Sequence, residues 1–332
     1  MDKRDVYQSV TDRIVAALEA GTVPWKKPWR SAGGYPVNVR NGRQYRGINI
    51  LLLMLQGYDD PRWGTFGAMQ DEAAAQAKRE GREIVIEQSK RGKQAWEIVD
   101  GKKVWFRGGV SKGEQGTRIV LWKPVKKKEA NGEDSQYMLL RDYVVFNAKQ
   151  TEGLPELEVE EEREFTPIQQ AESIVLDYIW AEGCGDAPGP PVMYGYDGAS
   201  YSPSQDIVKM PEPKQFISDE AFYVTLFHEL IHSTGHDKRL KRIVPALFGT
   251  DPYAKEELVA EIGASFLAGI AELETAGGEE SASYLAGWLS RIKDDPRLIV
   301  QAAAQAQKAA DLIVGRTFEE KEEKQELAAT AA

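Results

Sequence analysis

The chain holds three histidines, and all of them fall within "FHELIHSTGH", residues 227–236: His228, His232 and His236. Ser218 or Asp219 can cap a helix that starts near Glu220, and Gly235 can end it. On such a helix His228 and His232 stand at i and i+4, on one face, with Cβ atoms about 5–6 Å apart. Two neutral imidazoles so placed reach one tetrahedral ion at about 2.0–2.1 Å. Glu229 follows His228 directly, so it leans away from that stripe but borders the open coordination position. There it can take a proton from a water that the ion has made acidic. This is the H-E-x-x-H spacing of a zinc-dependent hydrolytic site, on a helix whose Phe222, Leu226 and Leu230 face a core.

Such a site needs a third protein ligand. His236 misses the register of the three-histidine pattern, which puts Gly at the position of Gly235 but its last His at the position of Lys238. It is expected as a group that supports a ligand or faces substrate. The next helix, "TDPYAKEELVAEIGASFLAGI", offers a better donor. Asp251 caps it, Pro252 opens it, and Leu258, Ile262 and Phe266 form its buried stripe. Glu257 and Glu261 share a face one turn apart. Gly263 and Ala264 let this helix approach the histidine helix closely. Glu261 is expected as the third ligand and Glu257 as its supporting partner or alternative, with Glu256 left as a solvated charge. Two His and one Glu suit Zn²⁺, and Mn²⁺ or Co²⁺ can take the same place in vitro. "YDGASYSPSQDIVKMP" precedes the histidine helix and is expected to bring Tyr201, Ser202 and Asp206 near the cleft, on an edge strand open to a peptide.

These pieces need a scaffold. Val6, Val10, Ile14 and Leu18 recur every fourth residue, a first helix that Gly21 stops. Short helices are expected over "RQYRGINILLLMLQGY" and "FGAMQDEAAAQAKREG", closing at Gly57 and Gly81. Then "REIVIEQ", "QAWEIVD", "KKVWFRGG", "GTRIVLWKPVKKK" and "LLRDYVVFNAKQ" read as strands, mostly antiparallel. The acidic, Pro-bearing 151–165 is the expected linker. Helices follow at 167–181, 219–233, 252–274 and 281–314, the last interrupted near Pro296, with short strands within 191–211. The fold class is α+β: a basic α+β domain over 1–150, then a mostly helical domain over 166–318 with a small sheet, and a frayed tail over 319–332.

Composition bounds the partners. A charged content of 28% and a hydrophobic content of 42% are those of a folded chain. The lone Cys184 leaves no intramolecular disulfide, no secretory signal opens the chain, and "INILLLML" is too short to span a bilayer, so a cytoplasmic location without membrane contact is expected. Residues 1–150 carry 27 Lys and Arg against 18 Asp and Glu, while the net charge of the whole chain is −10. The same half holds six of the eight tryptophans. A positive groove with aromatic faces is how single-stranded nucleic acid is held. "PWKKPWR" supplies Trp25, Lys26, Lys27, Trp29 and Arg30, with the two tryptophans as stacking faces. "RNGRQYRGIN" adds Arg40, Arg43, Tyr45 and Arg46. The glycine-rich "RGGVSKGEQGT" lacks the phosphate-binding G-x-x-x-x-G-K-[ST], since Glu114 follows Gly113, but offers Arg107, Lys112 and Arg118 to phosphates. Trp105 and Trp122, on alternating strands, are read as core.

"WKKPW", "YRGINILLL", "KGEQGTRIVLWKP", "YVVFNAKQTEGL", "TLFHELIHSTGHDKRLKR" and "YAKEELVAEIGASFL" together resemble the ArdC antirestriction family of conjugative plasmids. A related N-terminal region occurs in plasmid primases of the TraC type. The resemblance covers nearly the whole chain except the linker and the tail. It implies an N-terminal single-stranded-DNA-binding domain and a C-terminal zincin-like metallopeptidase domain. It implies His228, His232 and Glu261 as ligands with Glu229 as the catalytic-type glutamate, and a role in shielding incoming plasmid DNA from host restriction. Two rivals stand beside that role: an active zinc metalloendopeptidase acting on DNA-associated proteins or a host restriction component, and a binding module whose metal site is not catalytic.

Overall fold

The structure is a computed structural model that describes residues 3–25, 35–89, 92–128, 134–157, 167–180, 189–242, 251–273 and 282–316. Its first elements are α1 (Lys3–Glu19), β1 (Val37–Asn38), α2 (Ile48–Met54), β2 (Arg62–Gly64), α3 (Phe66–Arg79), β3 (Ile84–Ser89), β4 (Gly92–Val99) and β5 (Lys102–Trp105). β6 (Gly109–Val110), β7 (Thr117–Lys128), β8 (Asp134–Asn147) and β9 (Thr151–Glu152) follow. Then come α4 (Pro167–Trp180), β10 (Val192–Tyr194), β11 (Ser200–Ser202), β12 (Ile207–Met210), α5 (Asp219–Thr234), α6 (Asp251–Ile270), α7 (Ala282–Asp294) and α8 (Leu298–Ile313). Helices and small sheets of both pairing senses make the fold α+β, as the periodicities predict. No helix among the described residues is long and apolar enough to cross a membrane.

Two compact units divide these elements, and the cut does not run simply along the chain. Described residues 3–25, 46–51 and 167–316 form one unit, and 35–45 with 52–157 form the other. α1 goes with the helical half rather than with the basic half in which the chain order puts it. The reason is its apolar stripe: Val6, Val10, Ile14 and Leu18 are all buried, and Thr11 Oγ1 donates to the Pro296 carbonyl at 2.9 Å. Gly21 ends the helix at φ +78°, a conformation open to glycine at little cost. Trp25 lies edge-on to Trp288 with ring centroids 6.2 Å apart and is 1% exposed.

In the second unit β7 and β8 form a long antiparallel hairpin that continues through β2 to β1, in the order β1-β2-β8-β7. Leu53, Trp63, Ile119 and Val145 are the core beneath it, with Tyr45, Tyr58 and Tyr143 packed on the edge of that cluster. A separate antiparallel sheet, β3-β4-β5, lays Ile84, Ala95 and Phe106 on the alanine face of α3, against Ala73, Ala74 and Ala77. The start of the expected linker belongs to this unit: Thr151 and Glu152 pair with β6, and Arg62 donates to the Pro155 carbonyl at 2.8 Å. The remainder, 158–165, and the expected tail lie outside the described residues.

The first unit is built on α5, α6 and α8. α5 begins as the spacing predicts, with the Ser218 side chain accepting from the Ala221 N–H, and ends at Gly235. Phe222, Leu226 and Leu230 are buried behind the histidines, and Leu258, Ile262 and Phe266 are buried on α6. Where the two helices meet, a Cβ on Gly263 would come within 2.7 Å of Ile231 Cδ1, and Ile231 is fully buried. Gly263→Ala should therefore cost about 1–2 kcal/mol net, since overpacking exceeds the gain in helix propensity. Chemical denaturation of the metal-free protein measures it, and adding Ile231→Val should restore part of the loss. Equal stability of Gly263→Ala and wild type would show that α5 and α6 separate freely here.

Candidate metal centre

α5 presents His228 and His232 on one face as the four-residue spacing requires, with ring centroids 4.7 Å apart and planes at 82°. Their Nε2 atoms lie 3.1 Å apart. α6 brings Glu257 to both: Oε2 is 3.5 Å from His228 Nε2 and Oε1 is 3.4 Å from His232 Nε2. An ion with ligands at 2.0–2.1 Å in a tetrahedron sets those ligand atoms about 3.3 Å from one another. The three separations fit that edge length, and the donor set of two imidazoles and one carboxylate fits a divalent ion of the zinc type. Among the described residues, the group of metal-ligand side chains that converges is His228, His232 and Glu257.

Glu261, the expected third ligand, is not in that group. Glu257 and Glu261 stand only about 40° apart around α6 but about 6 Å apart along it, and it is Glu257, with its neighbour Glu256, that lies level with the histidines. Glu256, expected as a solvated charge, is half-buried and hydrogen-bonded. His232 Nδ1 sits 3.2 Å from its Oε1, an acceptor for the Nδ1–H, and this holds the ring with Nε2 towards Glu257. Arg242 holds the same carboxylate from the other side, Nε to Oε2 and Nη2 to Oε1, both at 2.8 Å. It also donates to the Ile231 carbonyl at 2.9 Å and to Thr234 Oγ1 at 3.0 Å. One arginine thereby ties the end of α5 to the carboxylate that orients His232.

The electrostatics of the pocket favour a cation. Burial works against charge on His232, but the Glu256 and Glu257 carboxylates outweigh it and lift its pKa to about 9. Burial would raise Glu257, yet hydrogen bonds and charge from His228 and His232 hold it well below the usual carboxylate range. Glu256 is likewise drawn down against its burial, by Arg242 and His232. The phenol of Tyr253, one turn before Glu257, is pushed up to about 12 by burial and by its hydrogen bond to Glu257. Glu229 behaves in the opposite way. It is 8% exposed, and desolvation raises its carboxyl above the ordinary value in spite of His232, His228 and a hydrogen bond from the Tyr201 backbone N–H.

That hydrogen bond brings β11 to Glu229. The sheet order β10-β12-β11 leaves β11 at an edge, and a buried network holds its turn against the end of α5. Asp206 sits at φ +53°, a left-handed position that Asp tolerates better than most residues. It accepts from the Tyr201 hydroxyl at 2.8 Å and pairs with Arg239, whose side chain is 1% exposed. Arg239 in turn donates to the Ser233 carbonyl at 2.7 Å. Burial would raise Asp206; Arg239 and Tyr201 overcome it and hold the carboxyl at about 2. His236 does not join the other two histidines. Its Nδ1 accepts from the Lys238 N–H at 3.2 Å and stands 3.9 Å from Asp206. Tyr201 and Asp206 are thus positioned beside the site, as expected, through roles no spacing rule specifies. Tyr253, Glu256, Arg239 and Arg242 were not read as site residues at all; only the three- and four-residue offsets from Tyr253 to Glu256 and Glu257 hinted that one face of α6 carries them.

The residues expected to meet DNA are dispersed. Trp25 is core and offers no face for stacking. Lys26, Lys27, Trp29 and Arg30 lie outside the described residues. Arg40 pairs with Asp71, and Arg46 with the buried Asp311. Tyr45 packs on the β-hairpin core. Arg43, Arg107 and Lys112 are exposed, and Arg118 is exposed while bound to Asp142 at 2.6 Å. Trp105, read as core, is instead 54% exposed; the side chain of Trp122 lies outside the described residues.

Comparison with known proteins agrees with this architecture. Residues 4–146 match the N-terminal domain of anti-restriction factor ArdC, and residues 181–305 match a zincin-like metallopeptidase family. The chain is 35% identical to a DNA primase TraC of Escherichia coli, over 96% of this chain and 28% of that protein. It is 31% identical to an uncharacterized protein of Sinorhizobium fredii, over 92% of this chain and 91% of that one. The chain therefore spans less than a third of the primase it matches. Two crystal structures of the antirestriction protein ArdC from plasmid R388 share its fold at 31% identity. The metal-free form covers 97% of this chain with a TM-score of 0.65, and the Mn(II)-bound form covers 96% with a TM-score of 0.66. With both halves matched and a relative aligned from end to end, the chain belongs to the ArdC antirestriction family.

Proposed function

We propose that this protein binds single-stranded DNA through its second, β-rich unit and shields DNA entering the cytoplasm during plasmid conjugation from host restriction. We further propose that its helical unit holds one divalent ion between His228, His232 and Glu257. The observation that carries the metal assignment is the set of three ligand-atom separations, 3.1, 3.4 and 3.5 Å, on two helices locked together at Gly263. Zinc is the expected ion, and the Mn(II)-bound ArdC of R388 makes manganese a second candidate. The antirestriction role is supported by family membership, and DNA binding by the cationic, tryptophan-rich composition of residues 1–150.

Gel-shift titration of the full chain against a single-stranded oligonucleotide and its duplex, at rising salt, tests the DNA reading. Preference for the single strand is expected, with affinity falling by a log–log slope of about −0.7 per phosphate contacted. Absent or strand-indifferent binding at moderate salt would remove it.

A second reading, hydrolysis of a peptide bond in a DNA-associated or restriction protein, is favoured by one residue. A bound divalent ion would supply Lewis acidity and an acidified water. Glu229 is buried beside His228 and His232, with a carboxyl whose proton affinity burial has raised, which suits it to accept and return a proton. β11 supplies the edge along which a peptide would lie.

A further inference from the structure

The sheet β3-β4-β5 has one face on α3, and its other face carries aromatic rings, Trp96 half-buried and Trp105 exposed. Trp105 stands directly opposite Trp96, and Trp96 opposite Val85, so these three form a row across the strands on the side away from Ile84, Ala95 and Phe106. The two indoles meet edge to face, with centroids 5.3 Å apart and planes at 83°. Trp96 braces Trp105 from the side and leaves Trp105 54% exposed. A large, rigid, half-exposed indole held at the edge of a sheet is unusual for a surface that meets only water.

Its surroundings select the partner. Among the described side chains of residues 82–107, Arg82, Lys102, Lys103 and Arg107 stand against Glu83, Glu87, Glu97 and Asp100. Two of those four acids are neutralised within the sheet, Glu87 by Lys103 and Glu97 by Arg82. Arg107, two residues beyond Trp105, is exposed, whereas the exposed Lys102 starts β5 on the opposite face, that of Phe106. Residues 1–150, to which this sheet belongs, carry 27 Lys and Arg against 18 Asp and Glu, so a second copy would set like net charge against like. A polyanion with flat aromatic groups would not, and only an unpaired strand has base faces free to lie on an indole, since a duplex buries them.

We infer that Trp105, braced by Trp96 and with Arg107 two residues on, is a stacking platform for a base of single-stranded nucleic acid. This rests on the DNA-binding reading above and gives it a place on the molecule. The test uses the full-length chain and a fluorescein-labelled oligothymidylate, read by anisotropy. Trp105→Ala should weaken binding about 5- to 150-fold, the range for one lost base stack. The salt slope should stay that of wild type, because no cation is removed. Trp105→Phe should recover most of the loss, and photo-crosslinking of wild type to a bromodeoxyuridine-containing strand should map to the peptide carrying Trp105. That second measurement needs no variant to fold. If wild type binds while Trp105→Ala binds equally well and the crosslink maps elsewhere, the platform is wrong and the DNA reading survives. If wild type itself does not bind, the DNA reading fails and takes the platform with it. A Trp105→Ala variant that changes only the oligomeric state would assign this face to contacts between copies and overturn the inference.

Discussion

Glu257→Ala should purify without metal, and Glu261→Ala should carry about as much as wild type. Both are glutamates on one helix, one turn apart, so the pair separates ligation from mere acidity near the histidines. Glu257 has a carboxylate oxygen within 3.5 Å of the Nε2 of each of His228 and His232, whereas Glu261 is not among the described side chains that converge there. Glu256→Gln provides the calibration. It leaves the three ligands in place but weakens the bond that orients His232, and loss of such a support lowers metal affinity roughly 10–100-fold. Glu257→Ala should fall below that variant. Elemental analysis after dialysis gives the stoichiometry, and thermal melts give a second readout. An ion that binds only the folded state raises Tm with concentration, and added zinc should raise it for wild type and Glu261→Ala but hardly for Glu257→Ala. Full metal in Glu257→Ala with none in Glu261→Ala would reverse the assignment.

Glu229→Gln should keep the ion and lose hydrolysis. The amide has nearly the shape of the carboxylate and still accepts from the Tyr201 N–H, so the α5–β11 contact is preserved. What it cannot do is take a proton. Removal of a general base typically costs about 10²–10⁴-fold in rate. The assay pairs metal-loaded wild type and variant, with and without single-stranded DNA, against a protein bound to that DNA, and follows fragments by mass spectrometry. Cleavage by wild type and none by the variant, at equal metal content, makes this a DNA-guided peptidase. If loaded wild type cuts nothing with DNA present, the hydrolytic reading is sunk and the ion serves structure or regulation.

The support around the ligands explains why the site tolerates three carboxylates in so small a space. Glu256 is balanced by Arg242 and by His232, Glu257 by both histidines, and Asp206 by Arg239. Glu229 is the carboxylate in the pocket whose proton affinity moves up rather than down. Two populations of acid in one cleft, one held charged and one pushed towards neutrality, is how environment divides roles among chemically identical groups.

Much of this was legible before any coordinates. The i, i+4 histidines had to share a face of α5, because a helix repeats every 3.6 residues. Ser218 or Asp219 was placed to cap it and Gly235 to end it, because both are local matters of backbone hydrogen bonding, and Ser218 is the cap. The stripes Val6–Leu18 on α1 and Leu258–Phe266 on α6 declared their buried faces by spacing alone, and Gly263 announced a close approach. Local periodicity could not say which glutamate meets the histidines, since Glu257 and Glu261 satisfy the same rule. That depends on how far α6 is rotated and shifted against α5, which contacts between the two helices decide. Nor could composition separate Trp25 from Trp105. Both are tryptophans among cations; one is buried against Trp288 of α7, the other lies half-exposed on the edge strand of a sheet. Residue types and short-range spacing determined the elements and the kind of chemistry. Contacts between residues far apart in the chain decided which of several equivalent side chains performs it.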